Sequence, residues 1–480
     1  MVISCGGFWA GAGNGPRGPA RIHVSRGVIS RIEMLEKSRE DTFIIPAFVD
    51  AHCHFTWNGL RNIFPDLGKV RSSGELLEVV AESAKFGDAG YVIRGYGFDE
   101  TGWKEPVLPS PEELDEVSRG RPVLLYRVCG HKALVNSGLM AMLPAGAPGL
   151  DRSTGTISEG IVFGLDELVP YERGILETAC GNATDAAWKA GVTAVCTFES
   201  LSAAEVVSGW REGIKTTVCL YGEEVRKHPG NGMIEEVSGL KFFLDGSIGA
   251  ETAAMRTPYA DGGIREPLMS REDVAEALEF SRKLGLTPVF HGIGGRALHL
   301  LAQACRGHDG PDFVRVEHAE EFKAIRTDAW DTSVHRFVMQ PNFVNNWQLE
   351  GGMYERKLGR DAASFLNPFR TVSDGGLSLA FGSDCMPFGP LQGLPGATGH
   401  PDPGERLSVD EALDAYTLRA ADVCGFTGLS RELSEGRVAD FVILSGSPFE
   451  KPWSDLEVLV TVSDGKVVYA ADSFSEGAYG

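Results

Sequence analysis

The sequence is short of several features that would sort it at once. Its nine cysteines are odd in number, scattered and without a CxxC pair. That excludes a regular disulfide framework and points to reduced thiols in a cytoplasm, most of them small core residues. Positive charge is scarce: 45 Lys and Arg stand against 66 Asp and Glu, for a formal charge of −21. No basic cluster offsets this, so a polyanion would be repelled and nucleic acid is not an expected partner. No uncharged apolar run approaches the roughly 20 residues of a membrane span. The opening stretch MVISCGGFWAGAGNG has neither the basic flank nor the long apolar core of a signal peptide. No membrane partner and a cytoplasmic location are therefore expected. Internal repeats and low-complexity linkers are also lacking.

What is present fits a soluble globular protein, with 43% hydrophobic and 23% charged residues. A chain of 480 residues is too long for one small domain and fits a large barrel with an accessory domain. Both ends read as β-structure. ARIHVSRGVISRIE alternates Ile22 and Val24 with polar residues, turns at Gly27 and continues with Val28 and Ile32. GRVADFVILS and LEVLVTVSDGKVVYA are strands near the other end, with a turn at Ser463-Asp464-Gly465. Residues 1–43 and 426–480 are thus expected to form one small β-sandwich.

Between them, apolar strands alternate with helices. REDVAEALEFSRKLG places Val274, Leu278 and Leu284 on one side and stops at Gly285. SVDEALDAYTLRAADVCG opens with a capping box, Ser408 and Glu411. Such alternation predicts an α/β fold with a parallel sheet, closed or doubly wound. Eight strands can be counted: FIIPAFVDAHCH, VTAVCTF, TTVCLY, LKFFLDG, TPVFHGIG, FVRVEHA, RFVMQP and LSLAFGSD. Eight closes a (β/α)8 TIM-type barrel, here residues 44–425. YVIRGYGF and PVLLYRVC are left over and go to an α/β insertion after strand one, about residues 60–155.

Functional groups in such a barrel sit at the C-terminal ends of strands. Strand one ends with His52 and His54, strand five with His291, strand six with His318 and strand eight with Asp384, while strand four carries Lys241. In an HxH pair both imidazoles share one face of a strand, where they can ligate a divalent metal. Cys53 should face the other way. His291 or His318 alone would read as a hydrogen-bonded core residue, and Asp384 alone as a cap or turn residue. Lys241 in an apolar strand is costly unless it is paired, neutral or modified. Six such residues at five strand ends are not six accidents. An open doubly wound sheet would spread them out rather than gather them.

With these motifs the sequence resembles the amidohydrolase superfamily, in particular its YtcJ-like branch, which includes the N-substituted formamide deformylases. The resemblance is carried by PAFVDAHCHF, RPVLLYRVCGHKALVNSGLM, TGTISEG, LKFFLDGSIGAETAA, HGIGGRALHLL, RVEHAEE, MQPNF, YERKLGRDAASFLNPFRTVSDGG and AFGSDCMP, with GRVADFVIL in the accessory β-domain. The branch usually has an aspartate where Gly295 stands, and an arginine where Glu251 stands. Both departures weaken any transfer of substrate specificity.

The resemblance implies that His52, His54 and Asp384 hold one metal ion and that His291 and His318 hold another. Lys241, carboxylated by CO2 to a carbamate, would bridge them. Zinc is the default metal for mixed imidazole and carboxylate ligands, although manganese, iron or nickel would fit, and one ion or two are compatible with the set. Water on such an ion has its pKa lowered to about 7, which makes hydroxide available. Asp384 would take the proton from the attacking water and pass it to the leaving nitrogen. The expected activity is hydrolysis of a C–N bond in a non-peptide amide: an N-formyl amine, an N-acyl amine or a cyclic amide. The same site could cleave an ester, a lactone or an organophosphate. An inert barrel kept for binding is the third reading. The expected partner is a small-molecule substrate, and a homodimer is compatible with size and family. His131, Trp57, Trp103 and Asn342 fall in segments expected to border the pocket. Asp50 is expected to bond backbone near the HxH turn, and His299 to be structural.

Overall fold

The computed structural model describes the chain except residues 39–40, 87–90, 129, 131, 145, 148, 159, 164, 211–212, 229–236, 307–312, 427, 430–431 and 475–480, and the side chains of 160, 163, 166 and 167. Eight strands lie in one parallel sheet: β1 (Phe48–Cys53), β2 (Val192–Glu199), β3 (Lys215–Tyr221), β4 (Val237–Phe243), β5 (Thr287–Gly292), β6 (Val314–His318), β7 (His335–Met339) and β8 (Ser378–Phe381). Their spatial order follows the chain, as a (β/α)8 barrel requires. All eight are the strands expected from sequence.

The barrel closes just past the end of β8. Asp384 bridges to Cys53, and its N–H donates to the His52 carbonyl at 2.7 Å. Gly382 makes this approach feasible, because a Cβ there would lie 2.4 Å from the His52 nitrogen. Closure thus sets strand-eight Asp384 beside strand-one His52 and His54.

The apolar run FIIPAFVDAHCH, expected as one strand, is two. Phe43–Pro46 pairs antiparallel with Phe441–Leu444, whereas Phe48–Cys53 enters the barrel as β1. Pro46 has no N–H to continue a ladder, and the chain changes sheets there. The stretch expected as one helix from Ser408 is also two, Val409–Tyr416 and Leu418–Val423. The break is at Thr417, whose Oγ1 donates back to the Leu413 carbonyl at 2.7 Å. The capping box of Ser408 and Glu411 is present, and so is the left-handed Gly285 after the helix Arg271–Leu284.

Segments near the two termini form a small β-sandwich. A sheet of Val2–Cys5, Ala20–Ser25 and Val28–Met34 faces a sheet containing Gly7–Trp9, Phe43–Pro46, Phe441–Leu444, Val458–Ser463 and Lys466–Ala470. Ile3, Phe8, Ile22, Ile44, Phe441, Ile443 and Val460 share its core.

Thr56–Asn182 and Ser200–Val206 make a separate compact unit. Its five-stranded sheet includes Ile93–Phe98 and Val123–Arg127, the two segments left over from the barrel count. Among the described residues, no helix is long and apolar enough to cross a membrane.

Candidate metal centre

The C-terminal ends of β1, β4, β5, β6 and β8 bring His52, His54, Lys241, His291, His318 and Asp384 together. Nε2 of His52 lies 3.3 Å from Asp384 Oδ1, and Nε2 of His54 lies 3.2 Å from the same oxygen. Two donors each about 2.1 Å from one tetrahedral ion stand roughly 3.4 Å apart. The spacing would suit ligands to a shared cation. Among the described residues, His52, His54 and Asp384 form the one group of three that could hold a metal ion by mutual distance.

The other three candidates adjoin this group. Lys241 Nζ is 3.4 Å from His52 Nε2. The His52 and His318 ring centroids are 4.9 Å apart, and those of His291 and His318 are 4.4 Å apart. Lys241, His291 and His318 are each 2% exposed. Among the described residues no carboxylate lies within ion-pair distance of Lys241, which also lies over the faces of Phe198 and Phe243. Burial pulls its ammonium below the ordinary lysine range.

His52, His318 and His291 each have an acceptor beside one ring nitrogen. His52 Nδ1 is 2.5 Å from Glu317 Oε2, His318 Nδ1 is 2.8 Å from Gln340 Oε1, and His291 Nε2 is 3.1 Å from the Gly246 carbonyl. A ring that donates through one nitrogen presents its lone pair on the other. This is how histidine ligands are oriented in metal sites. Burial, opposed by the Asp384 hydrogen bond, lowers the His54 pKa, and burial takes His318 well below the usual value. Neutral imidazole is the ligating form. Burial alone would raise Asp384, but His52 and His54 hold its carboxylate well below the usual range.

The backbone is bent to achieve this. His318, Ala319 and Asp384 have φ of 72°, 48° and 59°, a region that non-glycine residues seldom enter. Such conformations cost on the order of 1 kcal/mol or more each and cluster at functional sites. They persist here because Ala319 N–H donates to the Gly292 carbonyl and Asp384 N–H to that of His52.

Asp50 behaves as expected. It accepts from the backbone N–H of His52 and of Ser383, and burial raises its pKa to about 6. Asn342 sits after β7 and donates through Nδ2 to the Ser383 carbonyl, one residue before Asp384. Trp57 packs edge-on against Tyr96 and Tyr126, and Trp103 is buried with its indole N–H donating to the Val70 carbonyl. Both tryptophans pack within the inserted unit. His131 lies outside the described residues. His299 is on the helix Gly295–Cys305, beside Gln303.

The two departures from the branch pattern have local structural partners. A Cβ at Gly295 would lie 2.6 Å from Ala324 Cβ and 2.9 Å from Glu321 Oε2. Glu321 already accepts the N–H groups of Gly295 and Arg256, so an aspartate at 295 would set two carboxylates together. Glu251 pairs with Lys357.

Sequence reasoning passed over Glu317, Gln340, Arg315 and Asp245. Asp245 accepts the N–H groups of Ala254, Ile293 and Gly294, and so pins the loops after β4 and β5.

A model of the amidohydrolase family matches residues 40–469. The chain belongs to the amidohydrolase family. The YtcJ amidohydrolase of Bacillus subtilis (strain 168) is 25% identical over 91% of this chain and 91% of its own length. The N-substituted formamide deformylase of Arthrobacter pascens is 22% identical over 89% of this chain and 88% of its own. A crystal structure of a metal-dependent hydrolase from Pyrococcus furiosus superposes with a TM-score of 0.72, at 24% identity over 94% of this chain and 99% of that one, which shows the shared fold. Membership makes this amidohydrolase a hydrolase and implies a divalent metal. The donor set fits that implication: imidazoles, three of them with an acceptor beside one ring nitrogen, one carboxylate held in its ionised form, and spacing suited to a single ion.

Proposed function

We propose that this amidohydrolase cleaves the C–N bond of a non-peptide amide, namely an N-formyl amine, an N-acyl amine or a cyclic amide. The observation that carries this reading is the convergence of His52 and His54 on one Asp384 oxygen at a barrel rim, with Lys241, His291 and His318 beside them. The name of the Arthrobacter relative, a formamide deformylase, supports the choice of bond.

In this reading His52, His54 and Asp384 would hold one divalent ion, zinc by default, and His291 and His318 would hold a second. Lys241, as a carbamate, would supply a further anionic ligand. The carbamate would account for a buried lysine that has no carboxylate within ion-pair distance among the described residues: once the ammonium has given up its proton, the neutral amine adds CO2 and releases a second proton, which leaves an anionic oxygen ligand. When bound, the ions supply Lewis acidity to a carbonyl oxygen and acidify a water molecule.

The remaining work falls to the side chains. Asp384 takes a proton from the attacking water on its carboxylate and returns it to the leaving nitrogen. An amine anion is a very poor leaving group, so this delivery matters as much as the attack. Glu317, Gln340 and the Gly246 carbonyl, each beside one ring nitrogen, would hold His52, His318 and His291 in the tautomers that ligation requires.

The test combines elemental analysis of purified protein with a hydrolysis screen of N-formyl amines, N-acyl amines, cyclic amides, esters and lactones, with and without chelator. One to two equivalents of metal and chelator-sensitive amide hydrolysis are expected. Metal-free protein that still hydrolyses amides would overturn the metal reading, and turnover of esters or lactones alone would overturn the choice of bond.

A further inference from the structure

The barrel interior holds a second charged group that the reaction above does not use. Arg315 on β6 is 3% exposed and lies three residues before His318. Its guanidinium makes three bonds to three different strands. Nε donates to Glu317 Oε1 at 3.0 Å, NH1 donates to Cys196 Sγ on β2 at 3.0 Å, and NH2 donates to the Ala51 carbonyl on β1 at 2.8 Å. Strands β6 and β1 are not neighbours in the sheet, so the side chain spans the inside of the barrel.

Both ends of this span lead to His52. Glu317 gives Oε1 to Arg315 and Oε2 to His52 Nδ1, so the carboxylate plane is clamped between them. Ala51, whose carbonyl the guanidinium holds, is the residue before His52. Arg315 thus fixes the backbone on one side of His52 and the hydrogen-bond acceptor on the other. Cys196 is wholly buried, and its sulfur anchors the third arm of the fork. A planar guanidinium can hold three acceptors in one rigid arrangement, whereas an ammonium cannot.

We propose that Arg315 is a positioning residue for the metal centre. It acts through Glu317 and the Ala51 carbonyl to set the orientation of His52, and Cys196 completes its seat. The proposal rests on the reading of His52 as a metal ligand. Outer partners of metal-bound histidines typically govern affinity by about 10- to 100-fold, and Arg315 falls one bond further out.

The test is a double-mutant cycle on Arg315→Lys and Glu317→Gln. Lysine keeps the positive charge beside Glu317 but loses the fork. The readouts are metal affinity by chelator competition, the visible spectrum of the cobalt(II)-loaded protein, and the thermal midpoint of the metal-free protein. Arg315→Lys is expected to weaken metal affinity about tenfold, to change the cobalt spectrum and to leave the metal-free midpoint within a few degrees. Because both residues act on one imidazole, the double variant should lose less than the product of the two single losses. Wild-type affinity in Arg315→Lys, or losses that multiply, would overturn the proposal. If Arg315→Lys does not fold, Cys196→Ala carries the test. It removes one anchor without removing a cation, a severalfold loss of affinity is expected, and an unchanged affinity overturns the proposal. A wild-type protein that binds no metal defeats the metal reading itself and this proposal with it. Wild-type binding with indifferent variants defeats the proposal alone.

Discussion

In the terminal sandwich, the wholly buried positions are filled by Phe8, Ile22, Ile44, Phe441, Ile443 and Val460. At the barrel rim, positions almost as deeply buried are filled by His52, Lys241, His291, His318 and Asp384. The first region lowers free energy by removing apolar surface from water, at about 25 cal/mol per Å2. The second does the opposite. It buries charge and imidazole, holds three non-glycine residues at positive φ, and leaves a lysine with no carboxylate within ion-pair distance among the described residues. Such a rim is unfavourable unless something binds there. The comparison teaches that the sandwich is a scaffold and that the rim is where stability has been given up for chemistry.

The sharpest way to break this contrast is Asp384→Asn. Asparagine tolerates positive φ, so the backbone should stay as it is. Amide hydrolysis is expected to fall by about 10²- to 10⁴-fold, the usual share of a positioned acid–base group, with the thermal midpoint of metal-free protein unchanged or raised. A rise would show directly that the rim is strained in the absence of ligand. Nearly full activity in Asp384→Asn would remove the aspartate from the chemistry. Next in size is Lys241→Ala. It should cost one metal equivalent and most of the activity, and added short carboxylic acids should restore part of it by filling the space of a carbamate. Intact activity without added acid would dismiss the carbamate.

The sandwich gives the reverse pattern. Phe441→Ala should lower unfolding stability by about 3–5 kcal/mol, as large-to-small core changes do, measured by urea denaturation. Activity per folded molecule should not change. If it falls as well, the sandwich does more than support the barrel.

The two regions also differ in how far they were legible in sequence. Short apolar strands alternating with helices mark out the barrel, and the ends of those strands give the six rim residues. These features are local. The split at Pro46 was missed because an unbroken apolar run looks the same whether it serves one sheet or two. The break at Thr417 was missed because the helical pattern continues across it. Glu317 and Arg315 stand inside the quoted RVEHAEE motif, yet their partners are His52, Ala51 and Cys196, far away in sequence. Spacing along the chain cannot show a contact across a barrel. What it can show is that a buried strand carrying Arg and Glu together needs partners inside.

The smallest expected effect comes from a pair that belongs to neither region's core. Arg370 clamps Glu411 bidentately, NH1 to Oε1 at 2.6 Å and NH2 to Oε2 at 2.7 Å, while Ser408 N–H and Oγ donate to the same carboxylate at 2.8 Å and 2.6 Å. These bonds, Arg370 foremost, pull the Glu411 pKa down to about 2. An unfolded glutamate titrates near 4.3. A carboxylate depressed on folding adds stability that is fully present above the unfolded value and is lost as pH falls toward the folded one. The window here is therefore between about pH 4.3 and 2. The side chain is 37% exposed, so solvent screening reduces the effect to about 1 kcal/mol. Urea denaturation of wild type and Glu411→Gln should show that gap at pH 7, and the gap should narrow as pH drops from about 4.5 to 3. It should also shrink in 1 M salt, where the Debye length is about 3 Å. A gap that widens in acid would mean that the carboxylate is not the stabilised form. Rim groups buried beside a bound ion should show no comparable dependence on salt, and that difference separates a surface clamp from a site sealed for chemistry.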